Sequence, residues 1–79
     1  MSPTVLSDGA YRLFFFSREE TRMHIHVVSG DGEAKFWIEP IISLANYTGF
    51  NKKQLRKIQA IIEQNENKIR KAWKKHFSC

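Results

Sequence analysis

The sequence has a single cysteine, Cys79, so no disulfide can close within the chain, which fits a reducing compartment. It has no apolar run near the ~18 residues that a membrane span needs. Its first residues also lack the basic-then-apolar pattern of a secretory signal. A cytoplasmic location is the expectation. No internal repeat or low-complexity linker interrupts it. Acid is scarce in the last third. From Asn51 onward nine basic residues face only Glu63 and Glu66, a net charge of +7, whereas the first fifty residues carry four basic and six acidic ones, −2. That asymmetry points to a polyanion or an acidic partner for the C-terminal half, with a solvated helix face as the alternative.

What is present is enough for one small domain. The chain has 79 residues, of which 42% are apolar, with ten aromatic side chains. A domain of this size buries a modest share of its surface and gains from a partner.

The stretch from His24 to Pro40 organises the rest. From His24 to Val28 polar and apolar residues alternate, the period of a strand with two different faces. His24, His26 and Val28 then share one face, and Ile25 and Val27 the other. Ser29-Gly30-Asp31-Gly32 is a hairpin loop, and Glu33 to Ile38 is a second strand. Glu39-Pro40 ends that strand, and the proline suits the first turn of a helix.

Before the hairpin, Val5-Leu6 begins a strand and Ser7-Asp8-Gly9 turns. Tyr11 to Ser17, with three successive phenylalanines, has strong strand propensity. A central strand covered on both faces, or one packed against a partner, would account for it. Arg18 to Arg22 is a charged link. After Pro40, the spacing of Ile41, Leu44 and Ala45 predicts a short helix over Ile41 to Tyr47, closed by Gly49. Asn51 and Gln54 have the chemistry of a capping box. A long helix is predicted from Lys52 to about Phe77, with Leu55, Ile58, Ile62, Ile69, Trp73 and Phe77 as its apolar stripe and Asn65 interrupting. Such a helix would span ~39 Å, long for a small sheet to cover. The expected fold is α+β: a three- to four-stranded antiparallel sheet, a short helix, and a long amphipathic C-terminal helix packed on the sheet.

Asp31 to Trp37, the preceding His24-Ile25-His26-Val27, Gly49-Phe50 before a helix, and Trp73 followed by His76-Phe77 together resemble the small bacterial domain-of-unknown-function family 4160 (DUF4160). Pro3-Thr4-Val5 and the aromatic strand fit as well. Met23 departs from the proline that family members usually carry before the first histidine. The resemblance implies a gene beside a second small protein, in the manner of a type II toxin–antitoxin module, with this chain as the toxin. The partner would be a small acidic antitoxin-like protein; a homodimer is the other association to expect.

The residues can be read for three kinds of activity. An RNA-cleaving toxin needs a base, an acid and positive charge at the phosphorane. His24 and His26, with Cα atoms ~6.7 Å apart along one strand face, are the candidate catalytic pair. Arg22 and Lys35 are candidate phosphate contacts, Tyr11 and Arg12 more remote ones. Lys52, Lys53, Arg56 and Lys57 form a candidate nucleic-acid docking cluster. The expected chemistry is metal-independent and uses no cofactor. A zinc site made of the His24-x-His26 pair with His76 and Cys79 is a weaker option. The second kind is RNA binding without cleavage, and the third a pure interaction module that uses the phenylalanine strand, Trp37 and the long helix as apolar surface.

Overall fold

The computed structural model describes residues 4–15 and 22–77. Five strands, β1 (Thr4–Asp8), β2 (Tyr11–Phe14), β3 (His24–Ser29), β4 (Gly32–Trp37) and β5 (Ser43–Thr48), are followed by two helices, α1 (Lys52–Gln64) and α2 (Glu66–Phe77). The strands form one antiparallel meander in the order β1-β2-β3-β4-β5. The α+β class and antiparallel pairing agree with expectation; the sheet has one strand more than expected.

Alternation decides which side of the sheet is dry. Leu13, Ile25, Val27, Ala34 and Phe36 are buried on one face, and they share a single cluster with Ile58, Ile61 and Ile62 of α1 and Ile69 and Trp73 of α2. Their neighbours in sequence, Arg12, Phe14, His26, Lys35 and Trp37, point to the other face. Phe15 is buried with the core, whereas Phe14 is half-buried on the opposite side. The run of aromatics is thus split between two environments, and Phe16 lies outside the described residues.

The short helix expected over Ile41–Tyr47 is instead β5. The Glu39–Pro40 peptide is cis, and Pro40 lies in the turn that returns the chain alongside β4. The pairing slips between Lys35 and Phe36: Leu44 faces Phe36, Asn46 faces Lys35, and Ala45 is the extra residue of a bulge. A bulge puts residues three apart on one face of a strand. Leu44 and Tyr47 therefore share a side, and a three-residue apolar spacing that reads as helix arises from an irregular strand. β1 carries a similar irregularity between Thr4 and Leu6.

The single helix expected from Lys52 to Phe77 is two helices broken at Asn65. The Asn65 side chain donates from Nδ2 to the Ile61 carbonyl (2.8 Å), and its backbone N–H reaches the carbonyls of both Ile61 and Ile62 (3.1 Å each). An asparagine that competes for backbone carbonyls ends a helix. The next helix starts at once, with Ile69 N–H donating to the Asn65 carbonyl. The break redirects the stripe, so that Trp73 packs edge-on against Phe15 (5.2 Å between centroids) instead of projecting. The Glu66 carboxylate, and after it that of Glu39, hold the Arg70 guanidinium above its ordinary pKa; Arg70 also donates to the Ile38 carbonyl, so it ties α2 to the end of β4.

The start of α1 is fixed as expected. Asn51 Oδ1 accepts from the Gln54 N–H (2.8 Å), and Gln54 Oε1 accepts from the Asn51 N–H (2.9 Å). Gln54 Nε2 also donates to Asp31 Oδ2 in the β3–β4 turn (3.0 Å). There the backbone comes very close: a methyl on Gly49 would strike the Asp31 carbonyl oxygen, and one on Gly32 the Thr48 carbonyl oxygen. Gly49 also has φ +84°, which disfavours any side chain. Replacing Gly49 with alanine is expected to cost about 2 to 3 kcal/mol of stability in urea denaturation, and Asn51→Ala about 1.

Candidate nucleic-acid interface

The outer face of the sheet collects most of the polar candidates. His26 on β3 lies directly opposite Lys35 on β4, and Phe14 on β2 lies on its other side. The Phe14 and His26 rings stack, with centroids 5.6 Å apart and planes at 28°. The Arg12 guanidinium sits 4.8 Å from the Phe14 centroid. Two cations share Trp37: the Arg22 guanidinium carbon at 4.1 Å and Lys35 Nζ at 4.5 Å from its centroid. A cation over an aromatic face gains ~0.5–1 kcal/mol at an exposed site. Arg22 is further fixed by donating from Nε to the Glu39 carbonyl (2.8 Å), and Arg12 by donating from Nε to Thr4 Oγ1 (2.8 Å). A groove of about 380 Å³ runs along this face, lined among others by Phe14, His26, Lys35, Asn46 and Thr48, with Glu33 as its acidic side chain.

The two strand histidines are not equivalent. His24 has no exposed surface. Its Nδ1–H donates to the Arg22 carbonyl (2.7 Å), and its ring meets Trp37, Trp73 and His26 edge-on at 5.1 to 5.7 Å. Alternation placed it on the polar face, but it is the first residue of its strand, and Trp73 of α2 closes over it. His26 is half-buried at the groove. Of the pair, only His26 borders space that a substrate can enter.

Lys52, Lys53, Arg56 and Lys57 are all exposed on α1, on the side away from Ile58, Ile61 and Ile62. Those isoleucines belong to the cluster on the dry face of the sheet. The helix cations and the groove therefore lie on opposite layers, and one short ligand strand does not span both. Tyr11 turns inward and meets Phe50 edge-on. Arg12, a remote candidate by sequence, is at the outer face; the signal available was its alternation with Leu13.

His76 packs against Phe15 and Phe77, beside a second cavity of about 530 Å³ lined by Thr4, Val5, Phe15, Ala72 and Lys75. Cys79 lies outside the described residues. Among the described residues no group of three or more His, Cys, Asp or Glu side chains is placed to hold a metal ion, and no helix is long and apolar enough to cross a membrane.

The molecule is thus an α+β domain with one dry and one polar sheet face. A family model matches residues 10–74, and the chain belongs to that family, described as Domain of unknown function (DUF4160). No curated protein and no solved structure matches it.

The burial difference predicts different costs. His24→Ala leaves a cavity among Trp37, Trp73 and His26 and is expected to lower stability by about 2 to 3 kcal/mol, whereas His26→Ala is expected to cost about 1 kcal/mol or less, both read from thermal or urea melts.

Proposed function

We propose that the chain is the toxin-like component of a type II toxin–antitoxin module, with a small acidic protein as its partner, and that it acts by binding single-stranded RNA in the groove on the open sheet face. The observation that carries this reading is the seating of Arg12, Arg22 and Lys35 on the rings of Phe14 and Trp37 on the sheet face whose groove Phe14, His26 and Lys35 line. Cations held in place before the ligand arrives lose less entropy on binding it, and a phosphate backbone is the anion whose spacing repeats along a groove. In this reading cleavage needs no metal. His26 takes the proton from the 2′-hydroxyl as that oxygen bonds to phosphorus. The bond from phosphorus to the 5′-oxygen breaks, and the departing oxygen takes a proton from solvent water. Lys35, directly across from His26, offsets the charge that grows on the phosphate. His24 is a positioning residue, which holds the His26 ring from its edge and Arg22 through its carbonyl.

A second reading, a non-catalytic interaction module, is favoured by Ile41, Leu44 and Tyr47, which remain exposed at the β5 end of the sheet at 70%, 39% and 49%. Large apolar side chains left exposed on a small domain are a place for another protein to cover.

The test is fluorescence anisotropy with a labelled single-stranded RNA, followed by gel analysis of the same RNA. Lys35→Ala and Arg22→Ala are each expected to weaken binding about tenfold, the loss of one charge-assisted contact. His26→Ala is expected to leave binding within about threefold and to abolish cleavage. RNA binding that is indifferent to Lys35 and Arg22 would sink the groove as its site. Binding without cleavage by the wild type would keep the groove and remove the catalytic role of His26.

A further inference from the structure

We propose that the helix layer is a second nucleic-acid surface, independent of the groove, and that its ligand is the phosphate backbone of a duplex. α1 and α2 carry nine cations and two acids. Both helices' apolar residues are committed to the core, as Ile58, Ile61 and Ile62 in α1 and Ile69 and Trp73 in α2. Cations cover the remaining arc of each helix: Lys52, Lys53, Arg56 and Lys57 on α1, Lys68, Lys71 and Lys74 on α2, all exposed. At 100° per residue both sets fall about opposite the buried stripe. Arg70 is the helix cation that Glu66 and Glu39 neutralise. Of the other eight, Lys75 is set aside, and the seven named above have no ion pair or hydrogen bond among the described residues.

Three observations choose the ligand. Among the described residues the large exposed hydrophobics are Ile41, Leu44 and Tyr47, none of them on a helix, although Leu44 and Tyr47 pair with Phe36 and Ala34 and so lie on the helix-covered side of the sheet, at its β5 edge. The exposed arcs of the two helices themselves give a membrane nothing to insert and a protein partner no apolar anchor. No aromatic ring of either helix is exposed, so along these arcs single-stranded bases have nothing to stack on. What remains is charge on two rigid rods of 13 and 12 residues, each about 20 Å long. A duplex places one phosphate charge every ~1.7 Å along its axis with both strands counted, about twelve over the length of one such helix, and those on the near side meet it without bending.

The measurement is the salt dependence of binding to a mixed-sequence DNA duplex of about 20 base pairs, by anisotropy, using the full chain. The wild type is expected to show a slope of log affinity on log salt of about −4 to −5, one unit for each phosphate neutralised. Lys68→Gln/Lys71→Gln/Lys74→Gln and, separately, Lys52→Gln/Lys53→Gln/Arg56→Gln should each flatten it by about two units. These exposed changes leave the core intact, which circular dichroism checks. Lys35→Ala should leave the duplex slope unchanged while it weakens the single-stranded RNA, so the two surfaces can fail separately. The idea is overturned if the duplex slope follows Lys35 and ignores both helix variants, or if the wild type ignores the duplex at low salt. Tighter binding to anionic lipid vesicles, or stronger competition by polyglutamate of equal charge, would reassign the layer and also overturn it.

Discussion

The close approach of two backbone turns governs this structure. Gly32 ends the β3–β4 turn, Gly49 ends β5, and neither has room for a side chain between them. Gln54 donates to Asp31 across the same gap and completes the cap on α1. The first helix is thus anchored to the central hairpin within a few residues of where it starts, and its isoleucines follow onto the dry face of the sheet. The second anchor is at the other end, where Trp73 meets Phe15 and His24. Between these two points the whole core is enclosed.

Such enclosure separates the charges of the molecule. The sheet's outer face carries cations braced by aromatic rings, and the helix layer carries exposed cations, Lys52, Lys53, Arg56, Lys57, Lys68, Lys71 and Lys74, with no such bracing. These differ in kind. Arg22 and Lys35 share Trp37 and are held in defined positions, which suits recognition of a shaped ligand. Lysines on an exposed helix keep their freedom and suit a ligand read only as charge.

The sequence made the central hairpin and its face assignment readable, because strict alternation from His24 to Val28 puts Ile25 and Val27 on one side. The opposition of His26 and Lys35 was not readable in this way, because a slip of two residues keeps every face unchanged and only the pairing itself selects the register. The capping box was plain, since Asn51 and Gln54 carry their partners at a fixed spacing. Three further features were not readable. β5 looked helical because its bulge at Ala45 imitates a three-residue period. The break at Asn65 left the apolar stripe nearly continuous, so spacing alone gave one helix in place of two. The burial of His24 comes from Trp73, 49 positions along the chain; no local pattern reports a contact of that range.

The bulges at Ala45 and between Thr4 and Leu6 sit on the two outermost strands. An intact outer strand is an open template, on which the next chain can continue the sheet without limit. An extra residue puts the free amides and carbonyls out of step with any straight strand that arrives. The sheet is therefore finite at both ends. Ile41, Leu44 and Tyr47 are exposed beside an end whose backbone is thus a poor seed for a fibre.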